Sequence, residues 1–233
     1  PGRVDIGLGN SPGTPLVGRH LESHYSKEQY AEWLEKLQQY LNEARRKGVV
    51  VPETENVPEQ FLLGMGGQSI ESAATLGLSF VYGVFPYIPQ DPVELAKSLS
   101  EKYRSNFKAG THSKPSNFVL AVFVVIADTS EEAEEMAKPL DLWMLGKQDF
   151  AEFHTFPTQK DVEEYEFTQR DREKIASNRS RLIVGNPREV YEQMEALRAV
   201  SNPDELLFIP LVGSIEKRKR SVELLAELYK GEQ

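Results

Sequence analysis

Gly64-Met65-Gly66-Gly67-Gln68-Ser69 puts three glycines and a hydroxyl in one short stretch, a combination that suits the binding of an anion. It follows the apolar run Phe61-Leu62-Leu63. It precedes a helical segment that ends at Gly77 and leads to a second apolar run, Phe80-Val81-Tyr82. That order is strand, turn, helix, strand, and two strands joined through a helix lie parallel with the crossover on one face. At the strand-to-helix turn, free backbone N–H groups and the positive end of the helix dipole can hold a phosphate. Gly66 and Gly67 carry no Cβ to keep an anion off the backbone, and Ser69 adds a hydroxyl in the first turn. The same residues equally suit a tight turn that binds nothing, and on this stretch alone both readings stay open.

Other chemistry is sparse. His20 and His24 are four apart but lack the H-E-x-x-H order of a zincin and precede the expected helix cap at Ser26; a surface or loop role is the better reading. His112 and His154 sit in polar loops without informative spacing. The loop Gly7–Gly13 has the spacing G-x-G-x-x-x-G, with Pro12 where a helix should begin, so it is a poor dinucleotide fingerprint. It can still line a pocket at a strand's carboxyl end. No G-x-S-x-G elbow or Walker A sequence is present. The residues by themselves offer a site for a phosphate-bearing ligand and no identifiable acid, base or nucleophile.

The elements that must position this turn are legible from patterning. The 233 residues are 39% hydrophobic and 27% charged, as in an ordinary globular protein. No apolar run approaches the roughly 18 residues of a membrane helix, and no signal-peptide pattern is present. Cysteine is absent, which excludes disulfides and thiolate metal ligands. The expected location is cytoplasmic. A formal charge of −9 argues against a general nucleic-acid binder, and Lys217-Arg218-Lys219-Arg220 reads as the solvated face of a last helix.

We expect five strands, at 3–9, 60–65, 79–84, 117–127 and 205–211, alternating with helices. Asn117–Asp128 is apolar on both faces, as in a parallel sheet covered by helices. A helix is expected over 26–47 and another after the Asp91-Pro92 cap. Pro139 should kink or split the acidic helix that follows Thr129. The last helix should be amphipathic through Ile215, Val222, Leu225, Ala226 and Tyr229. Arg181–Gly185 reads as a brief apolar run, and 146–180 as a polar insertion with two short helices. The pattern is α/β. Because the chain opens on Pro1-Gly2-Arg3 and enters an apolar run at once, we expect sequence upstream of it.

At GRVDIGLGNSPGTPLVGRHL, LLGMGGQSIESAATLGL and IVGNPREVYEQMEAL, the chain resembles the bacterial luciferase-like flavin-dependent monooxygenase family, the single-chain enzymes more than luciferase itself. The resemblance extends over essentially the whole chain. It implies a (β/α)8 TIM barrel in one domain, 1–233, whose opening strand is the fourth of eight and whose ELLFIPLV segment is the eighth. The first three βα units, roughly 80–100 residues, would then precede Pro1. The stretch 146–180 would be the family's insertion after strand seven. The residue most often assigned to catalysis would lie outside this sequence, so the catalytic group is unknown.

The family uses reduced FMN, supplied by a flavin reductase or NAD(P)H, with O2 to oxidise a small organic substrate. By resemblance, Met65, Gly66, Gly67, Gln68 and Ser69 form the FMN phosphate site. Asn10 and Ser11 lie near the isoalloxazine or ribityl chain, and Arg19 is a basic residue near the phosphate. Many relatives carry Arg where Asn10 stands, which leaves Arg19 to compensate. Tyr82 and Phe85 would face the substrate pocket. A homodimer is implied, with Tyr30, Trp33 and Leu37 as one candidate face, although packing of that face on the barrel is the better reading. Neither nucleic acid nor membrane is an expected partner. Three alternatives remain: a deazaflavin-dependent hydride-transfer reductase on the same barrel, a non-catalytic flavin-binding relative, and a doubly wound nucleotide-binding domain.

Overall fold

The computed structural model describes residues 3–9, 15–20, 27–42, 57–86, 90–109, 115–147 and 153–230. By their contacts the residues group into two compact units. The first comprises Pro1–Gly83, Ala96–Leu120 and Ser201–Leu206; the second comprises Val84–Leu95, Ala121–Val200 and Leu207–Gln233.

The first unit opens with β1 (Asp5–Leu8), α1 (Pro15–His20) and α2 (Lys27–Asn42). It continues with β2 (Glu59–Gly64), α3 (Gln68–Leu76) and β3 (Ser79–Val84), then most of α4 (Pro92–Asn106) and the start of β4 (Phe118–Ile126). β1 pairs with β2 and β2 with β3, both parallel, in the registers Leu8↔Leu62 and Leu62↔Phe80. β3 is buried at every position, as a strand covered on both faces must be.

On α2 the buried residue is Leu34, with Tyr30 and Leu37 half-buried and Trp33 turned outward. Trp33 is therefore off the packing face expected for it. The end of the expected helix, 43–47, and its cap Ser26 lie outside the described residues.

Behind β3, α4 brings Tyr103 into an aromatic cluster with Phe80 and Phe118, ring centroids 6.0 and 6.1 Å away. The Tyr103 hydroxyl donates to the Leu78 carbonyl at 2.8 Å and accepts from the Asn117 N–H at 3.2 Å. Burial pushes this phenol up to about 12, so it stays neutral and able to donate. Tyr103→Phe keeps the ring and strands one buried and one half-buried backbone group. We expect it to cost about 1–3 kcal/mol in urea unfolding; a loss under roughly 0.5 kcal/mol would show that the bonds contribute nothing net.

The second unit holds the rest of β4, followed by α5 (Ser130–Trp143), α6 (Gln159–Glu164), α7 (Gln169–Arg179) and β5 (Leu182–Gly185). After these come α8 (Pro187–Ser201), most of β6 (Glu205–Pro210) and α9 (Ile215–Leu228). The strand order is β1-β2-β3-β4-β5, and β6 pairs with β4.

The described residues thus carry six strands where five were expected. The sixth is β5, parallel to β4 in the register Phe123↔Leu182. Four residues are too few to show a periodicity, and this run becomes a strand because β4 offers it a ladder.

Two more expectations are corrected here. α5 runs through Pro139 as one helix, so of the kink or split expected there the split does not occur. The lost N–H bond and ring clash are offset by burial of the apolar Leu140 and Leu142 immediately after it. On α9 the buried residues are Ser221, Leu224 and Leu225, while Ile215 and Val222 are exposed. The helix can bury a serine because its hydroxyl donates to the Ile126 carbonyl at 3.0 Å.

The insertion folds as two helices, each started by a reciprocal cap, Thr158 with Asp161 and Thr168 with Asp171. α7 is tied to α5 by Arg179, which donates to both carboxylate oxygens of Asp141 at 2.6 and 2.7 Å. The basic stretch 217–220 is exposed, with Arg220 paired to Asp128 and Lys217 to Glu132.

Candidate functional site

β2 delivers the glycine turn. Gly64 ends the strand with no side chain because Ser69 folds back over it. A Cβ there would lie 2.6 Å from Ser69 Cβ, 2.9 Å from Ser69 Oγ and 3.1 Å from Phe80 Cε2. Gly66 and Gly67 then take φ of 127° and 63°, a region that side chains rarely enter. The turn backs onto α4, since a Cβ on Gly66 would meet Leu99 at 3.5 Å, whereas one on Gly67 would meet nothing within 4 Å. α3 starts at Gln68 and stops at Gly77, which takes the left-handed conformation and donates its N–H to the Ala73 carbonyl.

The N-terminus of α3 differs from the others. Gly67 is its N-cap, and no side chain accepts from its first turn. Among the described residues, α4 is capped by Asp91, α5 by Thr129, α6 by Thr158 and α7 by Thr168. Asn186 caps α8 and Ser214 caps α9. Among the helices whose N-termini are described, α3 alone leaves its orphan N–H donors to an outside acceptor. Gly67 and Gln68 are exposed there and Ser69 is half-buried. The first turn also holds Glu71, whose charge would oppose an anion; Lys102 on α4 meets that carboxylate at 2.5 Å. Open donors, two positions free of Cβ and a neutralised neighbour together fit a phosphate.

The other expected site residues are distributed as follows. Met65 opens the turn and is partly exposed. Arg19 is exposed in the last turn of α1, and among the described residues no hydrogen bond or ion pair joins it to the turn. Asn10 and Ser11 lie outside the described residues. Tyr82 is fully buried, its ring 6.5 Å from Phe118. It therefore lies on the face of β3 that Phe80 shares and Tyr103 covers. Phe85 is half-buried and stacks on Phe123 at 4.5 Å. Of the histidines, His20 and His154 are exposed, and His24 and His112 lie outside the described residues. Among the described residues no group of three or more His, Asp or Glu is placed to hold a metal ion.

The late segment IVGNPREV is closed on itself. Glu189 accepts from the Asn186 N–H at 2.9 Å and from the Ser130 hydroxyl at 2.8 Å, while Asn186 accepts from the Glu189 N–H. The Asn186 N–H, with the Ser130 hydroxyl, holds the Glu189 carboxyl below its usual range. Gly185 is glycine because Glu189 occupies the place of its Cβ, at 2.5 Å. Two features of the site were missed in sequence, Gly64 as the seat of Ser69 and the Lys102–Glu71 pair. An i-to-i+5 Gly–Ser spacing across the turn was the available signal for the first. No local signal exists for the second, whose partners are 31 residues apart.

Comparison with known proteins gives this geometry its context. Residues 1–201 match the luciferase-like monooxygenases. The uncharacterized protein YceB of Bacillus subtilis (strain 168) is 29% identical over 98% of this chain and 70% of its own length. An N-acetyl-S-alkylcysteine monooxygenase of the same strain is 28% identical over 97% of this chain and 69% of its own length. Among solved structures, apo-MsnO8 superimposes with a TM-score of 0.78 at 24% identity, covering 99% of this chain and 69% of that one. No helix among the described residues is long and apolar enough to cross a membrane. The parallel α/β sheet, the glycine turn at the carboxyl end of β2 and the match over residues 1–201 place the chain, an enzyme, in the luciferase-like monooxygenase family.

Proposed function

We propose that this chain binds FMN with its phosphate on the N-terminus of α3, and that it serves an FMN-dependent monooxygenase acting on a small organic substrate. The observation that carries the reading is the uncapped first turn of α3 behind Gly66 and Gly67. The backbone N–H groups there and the Ser69 hydroxyl would hold the phosphate. Gln68 and Met65 would flank it, with Asn10, Ser11 and Arg19 completing the cofactor side. Reduced FMN, supplied by a flavin reductase or NAD(P)H, provides the electrons with which O2 is activated. Phe85 would line the substrate pocket; Tyr82, fully buried on the face of β3 that Tyr103 covers, would not. The relationship to an N-acetyl-S-alkylcysteine monooxygenase makes a thioether the first substrate class to assay. We further propose a single barrel domain and a homodimer for the intact protein.

The test is a titration of the full-length protein with FMN and with riboflavin. Riboflavin lacks the phosphate and should bind far more weakly. Ser69→Ala removes one charge-assisted hydrogen bond and should weaken FMN by about 1–2 kcal/mol, roughly five- to thirty-fold, leaving riboflavin unchanged. Equal affinity for the two flavins would end the phosphate assignment. Turnover that persists without oxygen would replace the monooxygenase with a deazaflavin-type hydride-transfer enzyme.

A further inference from the structure

The sequence contains four methionines, and three are packed away: Met136 is 8% exposed, Met144 2% and Met194 0%. Met65 is 37% exposed. It stands where β2 meets the glycine turn, next to Gly66 and three residues before the start of α3, whose first turn no side chain caps. We infer that Met65 is a redox-sensitive thioether whose oxidation to the sulfoxide weakens cofactor binding at the turn. This rests on the phosphate reading, because the weakened contact is the one between the α3 N-terminus and the phosphate.

The oxidant is hydrogen peroxide, the two-electron reduction product of O2 that a reduced flavin releases when no substrate receives the oxygen. The thioether sulfur forms a bond to one peroxide oxygen and the O–O bond breaks. The second oxygen leaves as water with both protons. Sulfur is oxidised by two electrons and the peroxide is reduced by two.

Access decides which methionine reacts, since oxidation follows exposure of the sulfur. The product carries a strongly polar S=O oxygen on a flexible, exposed chain three residues ahead of the uncapped first turn of α3. That oxygen competes with a phosphate for the donors and repels its negative charge. Met65 contributes little to the core, so the fold should survive the change. The consequence is an enzyme that loses its cofactor when it turns over unproductively, and regains it when the sulfoxide is reduced.

Full-length apo-protein is treated with hydrogen peroxide, mapped by peptide mass spectrometry, and titrated with FMN and riboflavin before and after. Met65 should gain one oxygen at least about tenfold faster than the other three methionines. FMN affinity should fall about fivefold or more, the equivalent of one hydrogen bond, while riboflavin affinity holds. Methionine sulfoxide reductase should restore it, and Met65→Leu should show no peroxide-dependent loss. Oxidation of Met136, Met144 or Met194 at a comparable rate, or unchanged FMN affinity once Met65 is fully oxidised, overturns the inference. If untreated protein fails to prefer FMN over riboflavin, the phosphate reading has failed instead, and the selectivity at Met65 is judged from the mass map alone.

Discussion

Gly67→Asp should weaken FMN binding at least about a hundredfold, a loss of roughly 2.7 kcal/mol, in the full-length protein. Gly67 is the N-cap of α3 with φ 63° and ψ −129°, and space is open around its missing Cβ. A carboxylate there would accept from the first-turn N–H groups in the manner of Asp91 on α4. It would both occupy the donors and set a negative charge against the phosphate. Each charge-assisted hydrogen bond lost is worth about 1.5–3 kcal/mol.

The substitution also strains the backbone, by about 1–3 kcal/mol for a side chain in this region. Gly67→Asn bears nearly the same strain without the charge. The difference in FMN affinity between the two variants therefore isolates the electrostatic part. Riboflavin should not distinguish them. Calorimetric titration with both flavins decides the matter: if Asp and Asn variants bind FMN equally, no phosphate sits on this helix.

Arg179→Ala should destabilise the protein by about 3–5 kcal/mol at neutral pH. Asp141 is almost wholly buried on α5 and its two oxygens are held by the Arg179 guanidinium. Glu134 is a second partner of Arg179, at 3.2 Å and near the surface. Truncating the arginine leaves a buried carboxylate with no cation, which is far costlier than the intact pair is favourable.

The pH dependence carries a sign. Burial lifts the Asp141 carboxyl above its ordinary value, and Arg179 pulls it back only in part. A carboxyl raised in the folded state favours folding in acid, and that contribution is lost as pH rises through its folded value. Without Arg179 the carboxyl rises further. The damage should then be largest near neutrality and shrink in acid, as Asp141 takes up a proton. Replacing both partners with apolar residues, Asp141→Leu with Arg179→Met, should recover most of the loss. Urea unfolding at neutral and at acid pH is the measurement. An equal loss at both, or one below about 1 kcal/mol, would mean the pair is solvated enough not to matter.

Much of the fold was legible because its signals are local. β3 and β4 announced themselves as apolar runs, and burial on both faces is the reason they carry no polar residue facing outward. The cap at Asp91 was readable because a cap is a contact between residues two or three apart. The glycine turn was legible for the same reason, and so was its alternative as an empty turn. What failed were inferences that depend on a distant partner. β5 needed β4 to become a strand. Trp33 looked like core until Leu34 took that place. Ser221 was absent from the apolar set expected on the last helix, and the Ile126 carbonyl is what lets it be buried.

The sequence alone determined the alternation of strands and helices, the α/β class and the position of one anion-competent turn, since each follows from periodicity or from residues within a few positions of one another. Only the tertiary structure decided that α3 is left uncapped while α4 to α9 are capped, that Gly64 is the seat of Ser69, and that Lys102 pairs with Glu71. Those three facts turn a glycine-rich turn into a phosphate-competent one. They depend on atoms that the folded chain brings together across a turn or from one helix to the next, and of the three only the Gly64–Ser69 contact leaves a spacing along the chain.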